Sequence, residues 1–135
     1  MLRSKTMPGS EHSVWPGGAL FLLTALAALP AAAQSTDGER LFRQRCAACH
    51  ALEVGGRGSA PSLAGVFGRE AGTLDGARYS QAMQEAGLTW DAETLDAFIE
   101  NPQAIVPGTT MSVRISDPGQ RAAIVAFLQQ NSAGG

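Results

Sequence analysis

Three stretches of the chain carry apolar residues three and four positions apart, the spacing that gathers them on one face of a helix. The first runs from about Asp37 to Arg45, with Leu41 and Phe42 on the inner side and Arg40 and Arg43 outside. Thr36-Asp37-Gly38-Glu39 has the form of a capping box and is expected to open it. The second follows Trp90-Asp91 and aligns Leu95, Phe98 and Ile99. Asn101-Pro102 ends it, because proline disfavours helical geometry in the residue before it. The third starts at Asp117-Pro118, an N-cap with a first-turn proline, and its stripe is Ile124, Phe127 and Leu128. A weaker helical stretch, Ser80–Ala86, is stopped by Gly87. No run alternates with period two for long enough to predict a strand. The expected class is all-α, with four to five short helices.

Between the first and second helices the pattern fails. Residues 52–77 hold seven glycines and Pro61 with no sustained period, which predicts one long irregular segment, and Pro107-Gly108 marks a second loop. So long a loop in a compact domain is commonly functional. Helices shorter than about 12–15 residues are marginal alone in water, and roughly 100 residues bury little core. The pattern therefore implies a bound apolar body that completes the interior.

Composition narrows the classes. The 135 residues suit one domain. Ten Lys plus Arg against twelve Asp plus Glu give a formal charge of −2, which lacks the basic footprint of a nucleic-acid binder. At the N-terminus, Arg3 and Lys5 precede a polar stretch, the apolar run Gly18–Leu29, Pro30 and Ala31-Ala32-Ala33. Its twelve apolar residues fall short of the about 20 needed to span a bilayer. A basic end, a short apolar run and an Ala-x-Ala site describe a secretory signal peptide. Residues 1–33 are expected to be cleaved, leaving a domain of residues 34–135, and membrane anchorage is the outcome if they are retained. The remaining 102 residues contain eight Arg, no Lys, eleven Asp plus Glu, one histidine (His50) and two methionines (Met83 and Met111).

The sharpest chemistry is Cys46-Ala47-Ala48-Cys49-His50. In a C-x-x-C-H run both thiols can add across the vinyl groups of a haem while the adjacent imidazole reaches the iron. Three other readings compete. A thioredoxin-like redox pair wants a βαβ setting, which the pattern lacks. A structural zinc site needs four ligands, and a disulfide closing so short a loop stabilises little. A haem iron held by His50 needs a second ligand, and no other histidine remains. Met83, in a helical stretch, is more easily explained as core. Met111, in the loop after Pro107-Gly108, is the stronger thioether candidate.

With these residues in place, the segment from Gly38 to Gln129 resembles the soluble class I cytochromes c of the mitochondrial and bacterial type. The matching runs are CAACH at 46–50, APSLAGVFGR at 60–69, Tyr79-Ser80, GLTW at 87–90, TLDAFIENP at 94–102, VPGTTM at 106–111 and RAAIVAFLQ at 121–129. The resemblance implies the class I cytochrome c fold wrapped around one haem c, attached through Cys46 and Cys49 and ligated axially by His50 and Met111. It further implies that the Pro61 carbonyl accepts the His50 N–H, and that Arg69, Tyr79, Trp90 and Thr109 donate to a haem propionate. Gly38 with Phe42 and Ile124 with Phe127 correspond to the crossing of the first and last helices. Where relatives commonly have a tyrosine near the sulfur and an asparagine near a buried water, this chain has Phe98 and Met83, so a drier distal pocket is expected.

A haem with both axial positions filled has no place for a small-molecule substrate. The expected function is therefore a monomeric, periplasmic one-electron carrier, not an enzyme, that serves redox proteins as donor and acceptor, membrane complexes included. Two alternatives stay open: a haem subunit of a larger dehydrogenase or oxidase complex, and a peroxidase or gas sensor with a labile methionine. Arg40, Arg43 and Arg45, with Arg114 near the methionine loop, are the expected basic patch for partner docking.

Overall fold

A computed structural model of the chain describes residues 31–56 and 58–132. It contains α1 (Ala31–Arg45), α2 (Gln81–Gln84), α3 (Ala92–Glu100), α4 (Pro102–Ile105) and α5 (Pro118–Ser132). Among the described residues the only extended pairing is the isolated bridge Glu70–Thr89, so the all-α class holds. No helix among them is long and apolar enough to cross a membrane. The apolar run of the expected signal peptide lies outside the described residues.

The two long helices cross through a glycine. A Cβ on Gly38 would lie 2.3 Å from the Ala123 carbonyl oxygen and 2.7 Å from the Phe127 Cβ, so α1 and α5 meet backbone to backbone. Phe42 and Phe127 seal the crossing with ring centroids 5.6 Å apart, and Ile124 beside them is wholly buried. Burying such a side chain contributes about 1.5–3 kcal/mol.

One expectation about α1 is overturned. The described helix already includes residues 31–35, so Thr36 lies within it rather than at its start. Ala31–Gln34 are good helix formers, so the helix runs through the position where the box would open it. In α2 the Ser80 hydroxyl caps the Met83 N–H, and the helix ends at Glu85 rather than Ala86. Gly87 takes φ +61 in the turn beyond it.

At α3 the Asp91 carboxylate accepts the Thr94 N–H and the Thr94 hydroxyl accepts the Asp91 N–H, both at 2.8 Å, a reciprocal cap. Those Thr94 bonds hold the Asp91 carboxyl below its usual range. Asn101 terminates α3, and Pro102 at once starts α4, a single turn the sequence pattern did not predict. Asp117 caps α5, accepting the Gln120 N–H at 2.8 Å.

The irregular segment is anchored through its backbone. Gly68 and Ala71 N–H groups donate to the Trp90 and Leu88 carbonyls, and Trp90 N–H returns to Arg69 O, all within 2.8–2.9 Å. This short ladder ties the glycine-rich loop to the entry of α3.

Candidate functional site

The CAACH run leaves α1 as a tight turn. Cys46 N–H donates to the Phe42 carbonyl at 2.8 Å, and Cys49 and His50 N–H groups donate to the Cys46 carbonyl at 3.1 and 2.9 Å. Both cysteines are free thiols, Cys46 half-buried and Cys49 exposed. Burial pushes the Cys46 thiol up to about 11, with Arg45 pulling weakly the other way, so it stays neutral against the apolar wall.

After the turn the chain loops back. Ala60 N–H donates to Cys49 O and Leu63 N–H to Ala51 O. The buried Ser62 hydroxyl donates to the Glu53 carbonyl at 2.8 Å and accepts the Ala64 N–H at 3.2 Å. That return places the Pro61 carbonyl 2.7 Å from His50 Nδ1. A carbonyl can only accept, so Nδ1 carries the proton and Nε2 keeps its lone pair for a metal.

All nine site residues singled out in the sequence line one cavity of about 330 Å³: Cys46, Cys49, His50, Pro61, Arg69, Tyr79, Trp90, Thr109 and Met111. The inner stripes of α3 and α5 form part of its wall through Leu95, Phe98, Ile99, Ile124 and Leu128. Met83 and Phe98, both buried, also line it. Phe98 packs edge-on against Trp90, centroids 5.0 Å apart.

Arg69 is held from two sides. Its guanidinium donates to the Ala64 and Ser62 carbonyls at 2.9 and 3.0 Å, which also braces the loop that carries Pro61. Its Nε is buried without a partner. An orphaned cationic N–H in such a wall costs free energy unless an anion meets it. A flat apolar group with carboxylates, such as the haem expected from the sequence, fits this donor set: an apolar wall, two thiols, an imidazole nitrogen, thioether sulfur and an unspent guanidinium N–H.

The methionine loop is fastened at both ends. Upstream, Gly108 takes φ +92, open to glycine without strain, and the buried Thr109 hydroxyl accepts the Met111 N–H at 3.3 Å. Downstream, Ile115 N–H donates to Ile99 O at 2.9 Å. Arg121, only 7% exposed, donates to Asp96 on α3 at 2.9 Å and to the Ile115 and Ser116 carbonyls at 3.1 and 2.9 Å. The Asp96 bond holds its guanidinium charged. Sequence reasoning missed Arg121 as a brace, although its spacing of three, four and seven residues from Ile124, Val125 and Leu128 puts it on the buried stripe.

The expected basic patch dissolves in part. Arg40 pairs with Asp37 at 3.3 Å and Arg43 pairs with Glu39, each one turn away on α1, so their charge is spent locally. Arg114 Nε donates to the Glu100 carbonyl. Among the described residues, the cations at the cavity itself without an ion pair are Arg45, Arg69 and Arg78.

Comparison with known proteins gives consistent matches. The family model described as Cytochrome c matches residues 35–132. A cytochrome c2 iso-2 of Magnetospirillum fulvum is 44% identical over 85 residues, covering 62% of this chain and 88% of that protein. A cytochrome c2 of Rhodomicrobium vannielii is 44% identical over 100 residues, 73% of this chain and 79% of its own length. The solved structure of cytochrome cH from Methylobacterium extorquens superposes with a TM-score of 0.66 at 40% identity, covering 71% of this chain and 97% of that one.

Proposed function

The chain belongs to the cytochrome c family, and from that premise we propose that it is a periplasmic one-electron carrier. Its cofactor is one haem c, covalently attached through Cys46 and Cys49. When bound, that group supplies a single iron that exchanges one electron. Everything else is the work of the chain.

His50 offers Nε2 to the iron, in an orientation and tautomer set by the Pro61 carbonyl 2.7 Å away. Met111 offers its thioether from the opposite end of the chain. A soft sulfur ligand favours the ferrous state and sets a high potential. With His50 and Met111 both holding the group, it would exchange electrons rather than bind a substrate. Arg69, whose Nε lacks a protein partner, would hold a propionate, with Tyr79, Trp90 and Thr109 as further donors lining the same cavity. Residues 1–33 serve as the signal that carries the chain out of the cytoplasm.

The observation that carries this reading is the convergence of all nine residues on one cavity, among them Arg69, whose Nε is buried without a partner. The test is a visible spectrum of the protein matured with secretion and haem-attachment machinery. The oxidised form should show the weak red-end charge-transfer band of iron–sulfur ligation, and the reduced form should bind carbon monoxide only very slowly at neutral pH. Ready carbon monoxide binding would replace the carrier with a ligand-binding haem protein.

Partner docking falls to the cavity rim, where Arg45 and Arg78 steer an acidic redox protein. Charge steering acts on association rate and is screened beyond about 8–10 Å at moderate ionic strength. Electron transfer to an acidic partner should slow steeply with added salt, and R45Q/R78Q should flatten that dependence. A salt-independent rate in the unaltered protein would remove steering from the account.

A further inference from the structure

The two fastenings of the Met111 loop differ in kind. Downstream, the Arg121 brace is buried, and its guanidinium spans α3, α5 and the loop carbonyls. Upstream, beyond Val106, which is buried in the core, one exposed residue does most of the side-chain holding. Gln103, on α4, donates through Nε2 to the Thr109 carbonyl at 2.6 Å and accepts the Gly108 N–H through Oε1 at 3.2 Å. One side-chain amide thus closes both ends of the Gly108–Thr109 stretch, and Thr109 in turn accepts the N–H of Met111 through its hydroxyl. Apart from that amide, the upstream loop is held to α4 by the short turn bonds Val106 N–H to Pro102 O and Thr109 N–H to Val106 O.

We infer that Gln103 is a latch for the sixth coordination position. It is a positioning residue that acts through Thr109 and sets how often the Met111 sulfur leaves the cavity. Bonds at an exposed side chain compete with water and are each weak, whereas the Arg121 brace is shielded from water. Opening therefore begins at residues 107–110, between the buried Val106 and a hinge near Ile115, where the backbone is bonded to Ile99. Such local opening is independent of global unfolding when the remaining anchors hold. A released sulfur gives carbon monoxide or a peroxide access to the metal, so the identity of residue 103 decides between a closed carrier and a ligand-accessible haem protein. This inference rests on the proposal that Met111 is the sixth ligand.

The test uses haem-loaded protein and the variants Gln103→Ala and Gln103→Glu. Glutamate keeps the acceptor for Gly108 N–H but sets a carboxylate against the Thr109 carbonyl. Both variants should bind carbon monoxide in the reduced state about tenfold faster than the unaltered protein, as expected for losing one or two such bonds. Exchange of the Met111 amide hydrogen should accelerate by about the same factor, while that of Ile124 in α5 stays unchanged. Gln81→Ala, which removes an exposed bond to Glu85 on α2, should change neither. Unaltered rates in both Gln103 variants would overturn the latch, as would equal acceleration at Met111 and Ile124, or an effect of Gln81→Ala as large. If the unaltered protein lacks the iron–sulfur band, the ligand assignment itself has failed, and the two failures are told apart in the first spectrum.

Discussion

Gly38→Ala is expected to destabilise the protein by about 3 kcal/mol, despite alanine being the better helix former by roughly 1 kcal/mol. The new methyl would sit 2.3 Å from the Ala123 carbonyl oxygen and 2.7 Å from the Phe127 Cβ. Neither atom belongs to the far end of a flexible side chain, so relief requires α1 and α5 to separate. Separation would open the packing of Phe42 on Phe127 and uncover Ile124. Overpacking of a close contact costs about 1–3 kcal/mol and occasionally more, and this contact involves backbone on one side. The midpoint of guanidinium unfolding measures the loss. A midpoint equal to that of the unaltered protein would mean that the helices do not approach as closely as the structure has them.

The second large effect is chemical. Met111→His, which replaces a soft thioether by a harder nitrogen, should lower the reduction potential by on the order of 0.2 V, a fraction of the ~0.8 V that axial ligation spans. Folding should change little by comparison, because the loop stays anchored by the Arg121 brace and the Ile115–Ile99 bond. A redox titration with the red-end band followed in parallel decides it. If the potential and band both survive the substitution, the ligand is not Met111, and Met83, which lines the same cavity, is the next sulfur to test. Met83 lies on a capped helical turn whose position is set by the Ser80–Met83 bond, so recruiting it would require α2 to shift.

What the sequence made legible was local chemistry and helix periodicity. CAACH can be read because its three functional residues are contiguous, and the α3 and α5 stripes because apolar spacing and caps at Asp91 and Asp117 coincide. The Thr36 box was misleading for a physical reason: a cap motif marks a start only where the residues before it resist helix, and Ala31–Ala33 do not. Gln103, Ser62 and Arg121 were invisible as braces. Each bonds to backbone carbonyls or N–H groups, which every residue carries, so no residue type at the far end announces the partnership. The pairing of Arg40 and Arg43 was hidden likewise, because the residues that meet them are ordinary carboxylates one helical turn away.

The inner stripes of α3 and α5 are also the walls of the cavity. Leu95, Phe98, Ile124 and Leu128 thus serve twice: they pack against one another in the core, and they would form the wall that meets the prosthetic group. A polypeptide without that group lacks the packing partner of this wall, which ties the onset of rigidity to the moment of attachment.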